Sequence, residues 1–196
     1  MAADAVTTAF FTHPLGDGAV LMPRTAQIAE AYHAVLVANN ERLARWEPWA
    51  VAVPEPDGTR EFLEQAAHGW LAGTQLPVAI GVAVPGGGYR IVGSLGLRIG
   101  RTESRAELGY WIDADHEGRG LVRRGAEVLI EHAFGPLGMD RVELTAEVGN
   151  LRSRALAERL GFTEVGVEPA AIVFPTGSRD RVRYALTAAD WRAARP

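Results

Sequence analysis

The segment WIDADHEGRGLVRRGAEVLIEHAF carries the clearest chemical signal in the chain, because Gly118 and Gly120 separate an apolar run ending at Ile112 from an amphipathic run beginning at Leu121. A glycine turn from a strand into a helix offers an anion free backbone N–H groups and the positive end of the helix dipole. Glycine also lets the main chain approach a phosphate with no Cβ in the way. The structural alternative is a tight turn that binds nothing. A P-loop would need Gly-Lys-Ser/Thr at the helix start, and Gly120 is followed by Leu121 and Val122. A dinucleotide fingerprint would need a third glycine where Arg123 stands and an acid at the carboxyl end of the next strand, whereas Asp140 precedes that strand. The loop then suits either a tight turn that binds nothing or a phosphorylated ligand outside those two classes, with Arg119, Arg123 and Arg124 near enough in sequence to pair with such a ligand.

The elements that must position this loop can be read from periodicity. Residues 17–22 suit a strand, and Thr25 is placed to cap a helix whose Ile28, Tyr32, Val35 and Leu36 share one face. A proline-interrupted stretch leads to a second helix, with Phe62, Leu63, Ala66, Ala67 and Trp70 at helical spacing. The runs LPVAIGVAV and YRIVGSLGLRI, joined through PGGG, predict a hairpin, and AELGYWID predicts the strand that enters the glycine loop. Val122, Ala126, Leu129, Ile130 and Ala133 line the following helix, and RVELTAEV alternates as a strand. Asn150 caps a short helix that Gly161 ends, and the chain finishes in a hairpin and a terminal turn. The order β-α-α-β-β-β-α-β-α-β-β implies an α/β (α+β) fold with a mixed, mainly antiparallel sheet of about six to seven strands flanked by helices.

Composition narrows the function classes. A chain of 196 residues that is 47% hydrophobic and 22% charged fits one globular domain spanning residues 1–196. The absence of cysteine removes disulfides, thiolate metal sites and a cysteine nucleophile. A net charge of −4 argues against a nucleic-acid partner. His13, His33, His68, His116 and His132 have no metal-ligand spacing, so no metal is expected. There is no apolar run of membrane-spanning length and no basic n-region at the start, so no membrane is expected and the location expected by default is cytoplasmic.

Glu117-Gly118-Arg119-Gly120-Leu121-Val122 resembles the pyrophosphate loop of the GNAT superfamily of acyl-CoA N-acyltransferases, whose signature is Gln/Arg-x-x-Gly-x-Gly/Ala at a helix start. Gly120 matches, Glu117 replaces the usual Gln or Arg, and Val122 replaces the small final residue. RLARWEPWA, AELGYWI and NLRSRALAERLGF resemble, in order, segments of the RimJ/RimL-like N-terminal acetyltransferase group, so the likeness spans nearly the whole chain. It implies a GNAT-like fold, acetyl-CoA as co-substrate, an amine acceptor and, further, a homodimer. It also implies that the strands at 106–112 and 141–148 run parallel and splay apart to admit the pantetheine arm. Trp111, Ile112, Glu117, Gly118, Arg119, Gly120, Leu121, Val122, Arg123, Asn150 and Ser153 are the expected cofactor-binding positions.

Acylation of an amine needs a neutral nucleophile, a donor for the oxyanion and a proton for the departing thiolate. Glu107, just before the loop, is the first candidate base; the alternative is a solvent-facing strand residue in a salt bridge. Glu143 and Glu147, flanking Thr145 on the partner strand, stand in reserve, with Glu143 a candidate for the acceptor side. Many GNAT enzymes place a thiolate-protonating tyrosine where this chain has Ala157, and the RimJ/RimL resemblance makes Ser153 its replacement. Trp46 and Trp49 either wall the acceptor pocket or pack in the core. Tyr110 reads as a strand core residue, and Trp70 and Trp191 as core or helix-docking residues. The expected acceptor is a protein N-terminal α-amine. A small-molecule amine, a longer acyl group and a non-catalytic CoA-binding module are the alternatives.

Overall fold

The computed structural model describes residues 11–195, so the outermost parts of the domain expected over 1–196 lie outside it. Its elements are strands β1 (His13–Gly16) and β2 (Ala19–Pro23), helices α1 (Ala29–Leu43) and α2 (Pro56–Leu71), strands β3 (Gln75–Ala83), β4 (Tyr89–Gly100) and β5 (Arg105–Ile112), and helix α3 (Leu121–Phe134). Strand β6 (Arg141–Glu147), helix α4 (Leu151–Arg159), strands β7 (Thr163–Phe174) and β8 (Gly177–Thr187) and helix α5 (Ala188–Ala193) complete the chain.

All eight strands join one sheet in the order β1-β2-β3-β4-β5-β6-β8-β7. Only β5 and β6 pair in parallel; every other neighbouring pair is antiparallel. The strand beyond the expected number is β1. Asp17 and Gly18 have φ of 52° and 71°, the positive values that a two-residue hairpin turn requires, and Gly16 pairs with Ala19 across them. Thr25 makes no side-chain cap, contrary to expectation; a 3₁₀ turn at Ala26–Ile28 precedes α1.

The two faces of the sheet bury different layers. Leu95, Leu97, Leu108, Leu144 and Tyr184 pack with Ala126, Ile130 and Leu160 of α3 and its following helices. On the opposite face Met22, Ile91 and Trp111 pack with Tyr32, Leu36 and Leu63 of α1 and α2. Alternation along each strand produces this division, since successive side chains point to opposite faces. Trp191 is 3% exposed beside Phe134, as a helix-docking residue should be. Trp70 departs from its core expectation at 46% exposure; it continues the stripe of Leu63 and Ala66 but stands in the last turn of α2.

Candidate active site

The parallel ladder between β5 and β6 is short. Arg105, Ala106 and Glu107 face Arg141, Val142 and Glu143, and beyond them the strands part. The expected splay is therefore present. The N–H of Asp113 bonds to Val92 O on β4 at 2.7 Å. Because main-chain direction alternates along a strand, Trp111 also turns its backbone toward β4, while Tyr110 and Ile112 turn theirs into the gap. The Trp111 side chain is occupied as well, lying edge-on to Tyr32 at 5.5 Å with its indole N–H donating to the Tyr32 hydroxyl at 3.2 Å. Of the two strand positions expected to bind a cofactor, Ile112 turns its backbone to the gap and Trp111 turns its backbone to β4.

Past the end of β5, Gly118 and Gly120 adopt φ of 73° and 70°, and Gly120 caps α3 in the left-handed conformation. The first intrahelical bond is Arg124 N to Gly120 O at 3.0 Å, and no side chain caps the helix. The N–H groups of Leu121, Val122 and Arg123 therefore have no helical acceptor and point out of the helix start.

Glu117, the departure from the loop signature, does not stand as a bare negative charge. Arg42 of α1 donates to Oε1 at 2.8 Å, and Arg152 of α4 pairs with Oε2. Arg119 and Arg123, the arginines nearest to Glu117 in the sequence, do not pair with it. Instead Arg119 donates to Asp115 O at 2.9 Å, and Arg123 lies 4.0 Å from Glu127. Arg42 also donates to Ile112 O and to Asn39, which in turn bonds Asp113 at 2.8 Å and receives Ala114 N at 3.0 Å. Burial opposes ionisation of Asp113, yet hydrogen bonds with Asn39 and His116 hold its carboxyl below the usual range. This polar brace ties the loop to α1.

Ser153 stands in the first turn of α4, its N–H bonded to the side chain of Asn150 at 3.2 Å, so Asn150 does cap the helix. The Ser153 Oγ is 2.8 Å from the hydroxyl of Tyr110. Tyr110 was read as a core residue. Its ring is partly buried in the wedge between β5 and α4, but its hydroxyl reaches the one serine singled out for proton transfer, and burial pushes the phenol up to about 12. Nothing in the local sequence signals that pairing.

The carboxylates are unequal. Arg98 donates to Glu107 at 2.6 Å, which fulfils the salt-bridge alternative. Glu143 is 6% exposed, with Arg105 at 2.8 Å and Arg141 at 3.0 Å. Glu147 accepts Gly149 N at 3.0 Å. Before α2, Trp49 is 54% exposed and donates from its indole to Glu47 Oε2 at 2.9 Å, while Trp46 is half-buried. Glu47 carried no sequence expectation. A cleft of about 370 Å³ borders this turn, lined by Ala44, Arg45 and Val51 on one side and Phe174 and Arg179 on the other.

A splayed parallel strand pair, followed by a glycine loop that opens a helix with free N–H groups, defines the GNAT class of fold. Residues 20–163 match the family described as "Acetyltransferase (GNAT) domain". The chain belongs to this acetyltransferase family. It is 30% identical over 164 residues to the Bacillus subtilis protein named "Putative ribosomal N-acetyltransferase YdaF", covering 83% of this chain and 87% of that protein. It superposes with a TM-score of 0.79 on the microcin C7 self immunity acetyltransferase MccE in complex with acetyl-CoA and AMP, at 25% identity and with 88% and 94% of the two chains covered. The fold is also that of RimL, the ribosomal L7/L12 alpha-N-protein acetyltransferase in complex with coenzyme A, with a TM-score of 0.82, 21% identity and coverage of 90% and 98%.

Proposed function

We propose that this protein transfers an acetyl group from acetyl-CoA to a protein N-terminal α-amine. The observation that carries the proposal is the gap between β5 and β6, which brings the Tyr110–Ser153 hydroxyl pair and the uncapped start of α3 to one opening. In this reading the N–H groups of residues 118–123 hold the pyrophosphate. The backbone of Tyr110 and the N–H of Ile112, whose carbonyl is held by Arg42, lie along the pantetheine arm, and Asn150 keeps the first turn of α4 in place.

The amine nitrogen attacks the thioester carbonyl, forming the C–N bond as the C–S bond breaks. Ser153 protonates the departing thiolate and is itself reprotonated from Tyr110, and the proton that the nitrogen loses on becoming an amide restores the Tyr110 phenol. An acceptor that arrives as an ammonium releases one proton to solvent over the whole cycle. Of the two roles open to Glu107, base or ammonium anchor, the bond from Arg98 favours the anchor, with Glu143 behind it on the same face. Trp46 and Trp49 border the acceptor side, and the similarity to YdaF supports a protein acceptor.

The deciding experiment is mass spectrometry of a cell extract incubated with the protein and isotope-labelled acetyl-CoA. Labelled protein N-termini are expected. Label confined to small amines overturns the acceptor class, and no label in any amine overturns acetyl transfer.

A further inference from the structure

Glu47 lies in the turn between α1 and α2, and its backbone is fixed on both sides. Its N–H donates to Leu43 O at 2.9 Å, its carbonyl accepts Ala50 N at 3.0 Å, and Pro48 follows. The Trp49 indole orients one carboxylate oxygen, Oε2, and among the described residues the other, Oε1, receives no hydrogen bond. Glu107, Glu143 and Glu117, three other carboxylates around the gap, each have an arginine within hydrogen-bond distance; among the described residues Glu47 has none, and Glu147, also without one, has its Oε1 taken by Gly149 N at 3.0 Å. An arginine-bound carboxylate has a lone pair already committed to a charged donor, which makes it a poor proton acceptor.

The charge of Glu47 also reaches the gap. Its charge is felt by Tyr110, the partner of Ser153, and it in turn feels Arg98, the partner of Glu107. Glu47 thus acts on Tyr110 and is acted on by Arg98 while belonging to the turn that borders the cleft. Burial pushes its carboxyl above the ordinary range, against the pull of the Trp49 hydrogen bond and of Arg98, and a stronger base results.

We propose that Glu47 takes the proton from the acceptor amine, so that the base is supplied by the α1–α2 turn and the acid by the Tyr110–Ser153 pair across the gap. The proposal rests on the N-acetylation reading above. The ammonium gives its proton to Glu47 Oε1, the neutral nitrogen attacks, and Glu47 returns the proton to solvent. Glu107, held by Arg98, attracts the ammonium without taking its proton.

The test is the pH profile of kcat/KM with labelled acetyl-CoA and peptides bearing free N-terminal serine or alanine, together with KM for both substrates. Glu47→Gln should lower kcat at least tenfold, leave the KM for acetyl-CoA within about twofold and abolish the acid limb of the profile. Glu107→Gln should raise the peptide KM and keep the limb. Trp49→Phe should move the limb to higher pH by removing the hydrogen bond that favours the carboxylate, a change that a purely structural Glu47 would not produce. A limb retained in Glu47→Gln, or lost in Glu107→Gln, overturns the assignment and leaves acetyl transfer standing. Wild-type protein that acetylates no peptide and no amine in an extract overturns both.

Discussion

The hydroxyl of Tyr110 on β5 lies 2.8 Å from the Oγ of Ser153 on α4, joining two residues 43 positions apart at the point where the sheet opens. With Ala157 at the position where many GNAT enzymes carry a tyrosine, a phenol meets Ser153 from the strand instead of from the helix. If the two hydroxyls act as one relay, Ser153→Ala and Tyr110→Phe should each lower kcat by at least tenfold with little change in acetyl-CoA affinity. The double variant should fall hardly further than either single variant, because residues acting as a unit are non-additive. Single-turnover kinetics of the four proteins measures this. Burial pushes the Tyr110 phenol up to about 12, so it stays protonated at neutral pH and its own ionisation should add no alkaline limb there.

Gly120 caps α3 at φ 70°, where an L residue costs roughly 1–2 kcal/mol. A Cβ there would sit 3.3 Å from the end of the Arg124 side chain, which can move aside, so the fold should survive substitution. Gly120→Val should therefore remain folded with a lowered melting temperature and bind acetyl-CoA at least tenfold more weakly. Calorimetric titration of the folded variant checks this. Unchanged affinity would separate the loop from phosphate binding.

Glu117 is bound from two helices, by Arg42 and Arg152. Glu117→Gln removes the negative charge next to the phosphate loop and frees both arginines to act on the ligand. Acetyl-CoA affinity should rise several-fold at low ionic strength, with the gain disappearing in high salt. The stability cost should stay within about 1 kcal/mol, since the pairs are partly exposed and screened. Titrations at two salt concentrations, with thermal melts, test both parts.

Much of the architecture was legible because it depends on local periodicity. The alternation that gives β6 and the apolar stripe of α3 each declared an element within one segment. Asp17 and Gly18 were read as the start of a strand over 17–22 and instead form the turn into it, because the strand before them is short and has only Leu15 buried, leaving little pattern to recognise. The candidate site was legible where main-chain geometry makes it, at Gly118 and Gly120. It was not legible where side chains meet across the fold. Arg42 and Glu117 are 75 positions apart and Arg152 and Glu117 are 35 apart, pairings that no helical or strand repeat encodes. The side to which the Trp111 backbone points was hidden for a related reason, since it follows from pairing with β4 and not from its own segment.

The Glu47 carboxyl has a pH signature in stability that requires no acceptor. Burial raises its pKa in the folded protein above that of the unfolded chain, in spite of the Trp49 hydrogen bond and Arg98. Between those two values the folded state binds more protons, so stability falls as pH rises through that window. Below the unfolded value Glu47 is protonated in both states and costs nothing, and above the folded value its full desolvation penalty is present. Glu47→Gln stays neutral throughout. Its melting temperature relative to wild type should therefore rise with pH across the window and level off above it, even as the variant loses turnover at neutral pH. Thermal melts of both proteins at one ionic strength from mildly acidic to neutral pH measure the difference. A difference that stays flat or falls with pH would mean that Glu47 is not held in a desolvated site, and would remove the physical reason for its basicity.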